Sequence, residues 1–173
     1  MRIYAVIGLG YVGLGLATSL SKKYSVLGYD INELRLQELR QHTDRNKQID
    51  SLELSRSNVI YTSNINDLEK ANFYIVTVST PAYFYETPNL EPLINATTSL
   101  ASVLKKDDIV VYESTVYPGT TVEICVPILE KLSHLQCGQD FNVGYSPERI
   151  NPGDKNHTRN SPGTPIASSP SRA

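Results

Sequence analysis

The first thirty residues constrain the fold most, because an apolar run is followed by a glycine motif, a helical pattern and a second apolar run. The motif occupies residues 8–13 and reads Gly-Leu-Gly-Tyr-Val-Gly, and the second run ends at Asp30. Glycines with these gaps arise by chance, but the order strand, glycine turn, helix, strand and acidic residue is typical of a dinucleotide-binding unit. This stretch therefore predicts a site for a dinucleotide.

Each glycine has its own physical role in this interpretation. Gly8 permits a tight turn after the first strand, Gly10 lets the backbone approach a pyrophosphate, and Gly13 lets the helix pack against the strand. The N–H groups at the helix start, those of Tyr11 and Val12, point at the anion, and the helix dipole adds to the attraction. An α/β domain whose glycines serve only packing is the alternative.

The acidic residue at the end of the second strand predicts which dinucleotide binds. Asp30 lies about 20 residues after the glycines, where a carboxylate can accept hydrogen bonds from both ribose hydroxyls. The same carboxylate would repel the 2′-phosphate of NADP, and the next residues, Ile31, Asn32 and Glu33, include no arginine. The sequence therefore predicts NAD rather than NADP.

Composition excludes several classes of partner. The 173 residues carry 16 basic and 18 acidic side chains, so we expect neither nucleic acid nor a membrane surface as a partner. The amino-terminal apolar run is too short and too interrupted by glycine for a signal peptide or a spanning helix. The cysteines Cys125 and Cys137 lack metal-type spacing and are expected to be inert. Together these features predict a cytoplasmic protein without a bound metal.

The rest of the chain alternates apolar runs with helical patterns. The runs expected as strands are Ile3–Ile7, Ser25–Tyr29, Asn58–Tyr61, Phe73–Val78, Asp108–Tyr112 and Phe141–Tyr145. The expected helices are Tyr11–Lys22, Ile31–Leu39, Glu91–Leu104 and Thr120–Leu135, the last kinked by Pro127. Between them, residues 41–57 are expected to form an exposed, polar excursion with some helix, and residues 81–89 are expected to form a loop. This alternation predicts the α/β class, with a doubly wound parallel sheet of the Rossmann type.

We expect a single domain over residues 1–160, followed by a disordered tail over residues 161–173. The tail lacks periodicity and has almost no apolar content, which is typical of disorder. A natural tail, an expression remnant and a frameshifted end all remain open.

Three polar segments follow the predicted fourth, fifth and sixth strands. They are Ser-Thr-Pro at residues 79–81, Glu-Ser-Thr-Val-Tyr-Pro-Gly-Thr at 113–120, and Tyr-Ser-Pro-Glu-Arg-Ile-Asn-Pro-Gly-Asp at 145–154. Each alone is explained by residues that end strands or cap helices. Together they fall at the carboxyl ends of the strands, where a doubly wound sheet binds its ligand.

With these segments the chain resembles the NAD-binding half of the UDP-glucose/GDP-mannose dehydrogenase family, over residues 1–160. Residues 145–154 are similar to the branch that acts on UDP-N-acetylhexosamines, as in Vi-antigen and O-antigen synthesis. The glucose branch has a Pro-Glu-Phe-Leu-Arg-Glu type of segment there instead. The resemblance implies a nucleotide-sugar 6-dehydrogenase, which oxidises the C6 alcohol of a UDP-sugar to a carboxylate for surface polysaccharide synthesis.

The resemblance also implies cofactor-binding roles for particular residues. Tyr11 and Val12 would lie under the pyrophosphate, and Asp30 would bind the adenosine ribose. Arg35 would lie near the same ribose, although a solvated helix arginine is an equal alternative for it. Thr80 would contact the cofactor from the end of the fourth strand.

Three further residues receive catalytic or substrate roles from the resemblance. Thr115 would lie on the nicotinamide side and help to position a water molecule. Glu148 would be the acid–base carboxylate that activates water, and Arg149 would touch the sugar nucleotide.

The nucleophilic cysteine, the oxyanion-stabilising groups and the central dimer helix of the family lie in a second half, beyond the part that this sequence resembles. We therefore expect the isolated chain to be inactive as an enzyme, and its homo-oligomeric state stays open. The alternative is a truncated, non-catalytic NAD-binding module. A hydroxyacid dehydrogenase is disfavoured because it has no reason to carry the Glu-Ser-Thr and Ser-Pro-Glu segments.

Overall fold

The computed structural model describes residues 2–80, 89–114 and 116–146, together with the backbone of residues 167 and 168. Within these ranges, the strands are β1 Ile3–Ile7, β2 Ser25–Tyr29, β3 Val59–Thr62, β4 Phe73–Val76, β5 Ile109–Tyr112, β6 Asn142–Tyr145 and β7 Ala167–Ser168. The α-helices are α1 Tyr11–Ser21, α2 Glu33–Arg40, α3 Ser51–Arg56, α4 Glu91–Ala101 and α5 Val126–Ser133. A 3-10 turn, Ile65–Lys70, precedes β4, and a π-helical turn, Thr121–Cys125, leads into α5.

The strands form one sheet in the order β3-β2-β1-β4-β5-β6-β7. Strands β1 to β6 pair in parallel, and β7 pairs antiparallel with β6. The chain runs outward from β1 to β3 and returns on the other side of β1 with β4, so the strand order reverses between β1 and β4. The predicted doubly wound parallel sheet is confirmed, and this reversal marks where such a sheet binds its ligand.

Helices cover both faces of the sheet. Successive side chains of a strand point to opposite faces, and in β1 Val6 belongs to a different core cluster from Ala5 and Ile7. The cluster around Val6 includes residues of α1 and α2, whereas the other includes residues of α4 and α5. The sheet is therefore the middle layer of three, and its ligand-binding edge lies at the ends of the strands.

Several element boundaries differ from the predicted ones. Helix α2 begins at Glu33, because the Asn32 side chain caps it by accepting the Arg35 N–H at 3.1 Å. The predicted single helix of residues 120–135 is divided into a π-helical turn and α5. Pro127 is the second residue of α5, and the helical backbone runs into α5 directly from the π-helical turn, so the missing N–H falls at the junction of the two.

Helix α1 ends at Ser21, α4 at Ala101 and β4 at Val76, each one to three residues before its predicted end. The predicted loop falls on residues outside the described ranges, apart from residue 89. The predicted disorder of the tail also stays a prediction, while residues 167 and 168 form β7. Within the described ranges, no helix combines the length and the apolar character that a membrane span requires.

Candidate functional site

A cavity of about 550 Å³ lies at the carboxyl ends of β1 and β4. Its walls are the glycine turn, the end of β2, the segments after β4 and β5, and one face of α4. Six of the predicted cofactor residues line this one cavity, namely Gly8, Gly10, Tyr11, Val12, Asp30 and Thr80. The volume falls within the range of about 300–1,000 Å³ that is usual for ligand pockets.

The three glycines of the turn have different surroundings. Gly8 has a φ of 94°, and a Cβ there would lie 3.1 Å from Val78. A Cβ on Gly13 would lie 1.9 Å from the Gly8 carbonyl oxygen and 2.4 Å from Thr77 Oγ1. Around a Cβ on Gly10, by contrast, no described atom other than those of its neighbours in the chain lies within 4 Å. Packing thus accounts for Gly8 and Gly13, whereas Gly10 leaves open space at the start of α1.

Hydrogen bonds from the neighbouring strands hold the turn in place. The Gly8 N–H donates to the Tyr29 carbonyl at 2.8 Å. The Thr77 hydroxyl lies 2.7 Å from the Gly8 carbonyl oxygen and 3.0 Å from that of Ile7, so its proton serves both. Sequence reasoning missed Thr77, because it placed this residue inside the predicted strand Phe73–Val78, whereas β4 ends at Val76.

The Asp30 carboxylate is fixed at the edge of the cavity by two backbone donors. Its Oδ2 accepts the Leu9 N–H at 2.8 Å, and its Oδ1 accepts the Asn32 N–H at 2.9 Å. A carboxylate oxygen has more than one acceptor direction, so each can still accept a ribose hydroxyl. Asp30 and the open space at Gly10 together fit the ribose and pyrophosphate of a dinucleotide.

Arg35 lies behind the glycine turn rather than in the cavity wall. Its side chain is only 6% exposed, so the alternative of a solvated helix arginine is wrong. The guanidinium Nε donates to the Leu9 carbonyl at 3.0 Å, and Nη2 lies 2.7 Å from Asp44 Oδ1. A direct contact between Arg35 and the ribose stays a prediction, and these contacts give the guanidinium another role.

Helix α4 supplies a wall that sequence reasoning missed. The residues that face the cavity are Pro92, Asn95, Ala96 and Ser99. They recur at spacings of three and four, so they form one stripe of the helix, which consists of small and polar side chains. The apolar stripe beside it was visible in the sequence, but only the tertiary position of α4 turns this second stripe towards the site.

The segment after β5 also reaches the cavity. Ser114 is buried, and its hydroxyl donates to the Val78 carbonyl at 2.6 Å, which ties this segment to the one after β4. Thr115, Glu148 and Arg149 lie outside the described residues, so their expected roles stay predictions.

Neither cysteine lines the cavity. Burial raises the pKa of the Cys125 thiol, whose residue is fully buried. Burial, and then the Glu130 charge, raise the pKa of the half-buried Cys137 thiol. Both environments disfavour the thiolate, which is the reactive form. In the part of the chain that the structure describes, no three His, Cys, Asp or Glu side chains are grouped to hold a metal.

Known proteins are similar to this chain over most of its length. The UDP-N-acetyl-D-glucosamine 6-dehydrogenase of Pseudomonas aeruginosa is 56% identical over 154 residues, which are 88% of this chain and 36% of that protein. Protein CapL of Staphylococcus aureus is 54% identical over 157 residues, which are 91% of this chain and 37% of that protein. The chain thus spans little more than a third of the length of these relatives.

The fold is similar to that of solved dehydrogenases. The structure of the UDP-D-ManNAc dehydrogenase from Pyrococcus horikoshii matches with a TM-score of 0.80 and 34% identity, over 88% of this chain and 37% of that one. The model of the UDP-glucose/GDP-mannose dehydrogenase family, NAD binding domain, matches residues 1–163. The chain therefore belongs to the UDP-glucose/GDP-mannose dehydrogenase family and carries its NAD binding domain.

Proposed function

We propose that the chain is the cofactor-binding part of an enzyme that uses NAD to oxidise the C6 alcohol of a UDP-N-acetylhexosamine to a carboxylate. The observation that carries the cofactor assignment is the open space at Gly10, next to a fixed Asp30 carboxylate. The substrate class rests on two relatives, both UDP-N-acetyl-D-glucosamine 6-dehydrogenases, at 56% and 52% identity.

The chain's own residues divide the binding of NAD between them. Gly10 and the start of α1 would receive the pyrophosphate, because a helix N-terminus attracts anions. Asp30 would accept hydrogen bonds from the adenosine ribose hydroxyls. Thr80 and Ser114, at the ends of the next strands, would orient the nicotinamide half. When bound, NAD supplies the acceptor for a hydride from the substrate.

The catalytic roles come from the family resemblance. We infer that Thr115 helps to place the nicotinamide and a water molecule, directly after Ser114. Glu148 would take a proton from that water, and Arg149 would contact the sugar nucleotide.

A calorimetric titration with NAD and NADP tests the cofactor assignment. We expect NAD to bind at least about tenfold more tightly than NADP, because Asp30 repels the added phosphate. Asp30→Asn should weaken NAD binding and reduce the difference between the affinities for NAD and NADP. The matched control is Asp50→Asn, which makes the same change at the exposed cap of α3. Equal affinity of the unaltered chain for NAD and NADP would contradict the assignment.

An assay of NADH formation tests whether the chain alone is active. We infer that it binds NAD without turnover, since the matched relatives are nearly three times as long. No NADH should therefore form from a UDP-N-acetylhexosamine. Steady NADH formation by the pure chain would show that these 173 residues suffice for catalysis.

A further inference from the structure

Two side chains hold the backbone of Leu9 from opposite ends of the residue. Asp30 Oδ2 accepts its N–H at 2.8 Å, and Arg35 Nε donates to its carbonyl at 3.0 Å. The Leu9 carbonyl and the Gly10 N–H belong to one planar peptide unit and point in opposite directions in its trans form. The bond from Arg35 therefore also fixes the direction of the Gly10 N–H, where the cavity begins.

Asp44 in turn holds Arg35. Its side chain is 0% exposed, and its Oδ1 lies 2.7 Å from Arg35 Nη2. The same carboxylate accepts the N–H groups of Asn46, Gln48 and Ile49 at 3.1, 2.8 and 3.2 Å. Burial alone would raise the pKa of this carboxyl, but the ion pair and the three N–H donors outweigh burial and lower it. Asp44 is thus a buried anion with a complete set of partners.

Neither member of this pair is among the described residues that line the cavity. Glu38 lies 3.8 Å from Arg35 Nη1, but it is partly exposed and bonds to Arg45 at 2.6 Å. The bond from Arg35 to the Leu9 carbonyl reaches the glycine turn, and it gives this pair a route to a ligand in the cavity.

We propose that Asp44 is a positioning residue for the pyrophosphate of the dinucleotide, because it orients Arg35, which fixes the Leu9–Gly10 peptide plane. This inference rests on the proposed NAD site. A donor that faces the anion in advance loses less freedom on binding, and such donors need support from their neighbours. The turn of residues 44–49 thereby supports the NAD site, although none of its residues lines the cavity.

Variants of the full chain test this role. Asp44→Asn keeps the shape of the side chain and removes its charge, and we expect it to raise the Kd of NAD about tenfold. Adenosine lacks the pyrophosphate, so its Kd should change by less than about twofold. The matched control, Arg45→Gln, breaks an exposed ion pair of the same segment and should change neither Kd.

The double variant distinguishes positioning from general stability. If Asp44 acts through Arg35, adding Asp44→Asn to Arg35→Met should not weaken NAD binding further. The double variant also removes both buried charges together, so it provides the measurement if Asp44→Asn alone does not fold. Its NAD affinity should then equal that of Arg35→Met.

Three results would overturn the inference. They are an unchanged NAD affinity in Asp44→Asn, an equal loss for NAD and adenosine, and additive losses in the double variant. Absence of NAD binding by the unaltered chain would overturn the proposed function itself, and this inference with it.

Discussion

Replacing Gly10 by alanine should separate ligand binding from folding. Apart from its neighbours in the chain, no described atom lies within 4 Å of a Cβ at this position, and the residue is the N-cap of α1 in an extended conformation, with a φ of −75° and a ψ of −150°. Alanine is a poorer N-cap by about 1 kcal/mol. This cost is offset by about 0.4–1 kcal/mol, because alanine reduces the freedom of the unfolded chain. We therefore expect the free energy of unfolding to change by less than about 1 kcal/mol.

The effect on NAD should be much larger. The added methyl group stands where the backbone must approach a pyrophosphate, so a hydrogen bond from the turn to a charged oxygen is lost. Such bonds contribute about 1.5–3 kcal/mol. Since about 1.4 kcal/mol corresponds to a factor of ten, the Kd of NAD should rise about tenfold to a hundredfold. Calorimetry measures the Kd, and urea unfolding followed by circular dichroism measures the stability.

Gly13→Ala is the comparison variant, because it should lose the stability that Gly10→Ala keeps. Its Cβ would lie 1.9 Å from the Gly8 carbonyl oxygen, whereas real contacts are at least 3.0 Å, so α1 and the turn would have to separate by about 1.1 Å. That movement would break the bonds of Gly8 to Tyr29 and Thr77. Overpacking and two lost hydrogen bonds together should cost about 3–5 kcal/mol. Wild-type NAD affinity in Gly10→Ala, or similar unfolding curves for both variants, would refute the reasoning.

Three further predictions concern Thr77, Cys125 and Asp44. Thr77→Val should lower the free energy of unfolding by about 1–2 kcal/mol, since the carbonyls of Ile7 and Gly8 lose their shared donor, and urea titration measures this. Cys125 should resist a thiol reagent in the folded chain and react after denaturation, because burial raises its pKa; fast labelling of the folded chain would contradict this. The folded pKa of Asp44 is lowered, so its stabilisation should be complete above the unfolded pKa, near 3.9, and lost as the pH falls further. Asp44→Asn should accordingly show a shallower loss of stability in acid, and an identical acid limb would contradict the prediction.

The alternation of apolar runs was sufficient to predict the central strands. The predicted bounds of β1 and β2 are confirmed. Gly8 ends the first apolar run and Asp30 ends the second, so the ends of both strands are visible in the sequence. The doubly wound parallel sheet followed from the same alternation, although the strand order was not predicted. The tight turn predicted at Gly8 agrees with its φ of 94°, and the close packing predicted at Gly13 agrees with the contacts that a Cβ would make there. The apolar pattern of the sequence thus predicts the structure best in the buried central strands.

The parts that sequence reasoning missed depend on contacts between distant elements. The polar excursion of residues 41–57 has only weak periodicity and was predicted to be exposed. That prediction is wrong for Asp44, whose side chain is buried against Arg35. The direction of the Arg35 guanidinium is set by that ion pair and by the Leu9 carbonyl, neither of which its helix position reveals. The cavity stripe of α4 was hidden for the same reason, because only docking on the sheet distinguishes it from a solvent-facing stripe.

The pairing of β1 with β4 has a consequence for how the molecule acquires its shape. Tyr4 lies beside Phe73 in the sheet, so the most central contact joins residues that are far apart along the chain. Closing such a long loop costs conformational entropy before the contact forms. The chain should therefore fold more slowly than helical proteins of similar size. During synthesis, the first strands emerge with one side of β1 unpaired until β4 has left the ribosome. A chain that is cut between β3 and β4 should therefore aggregate rather than form a smaller stable unit.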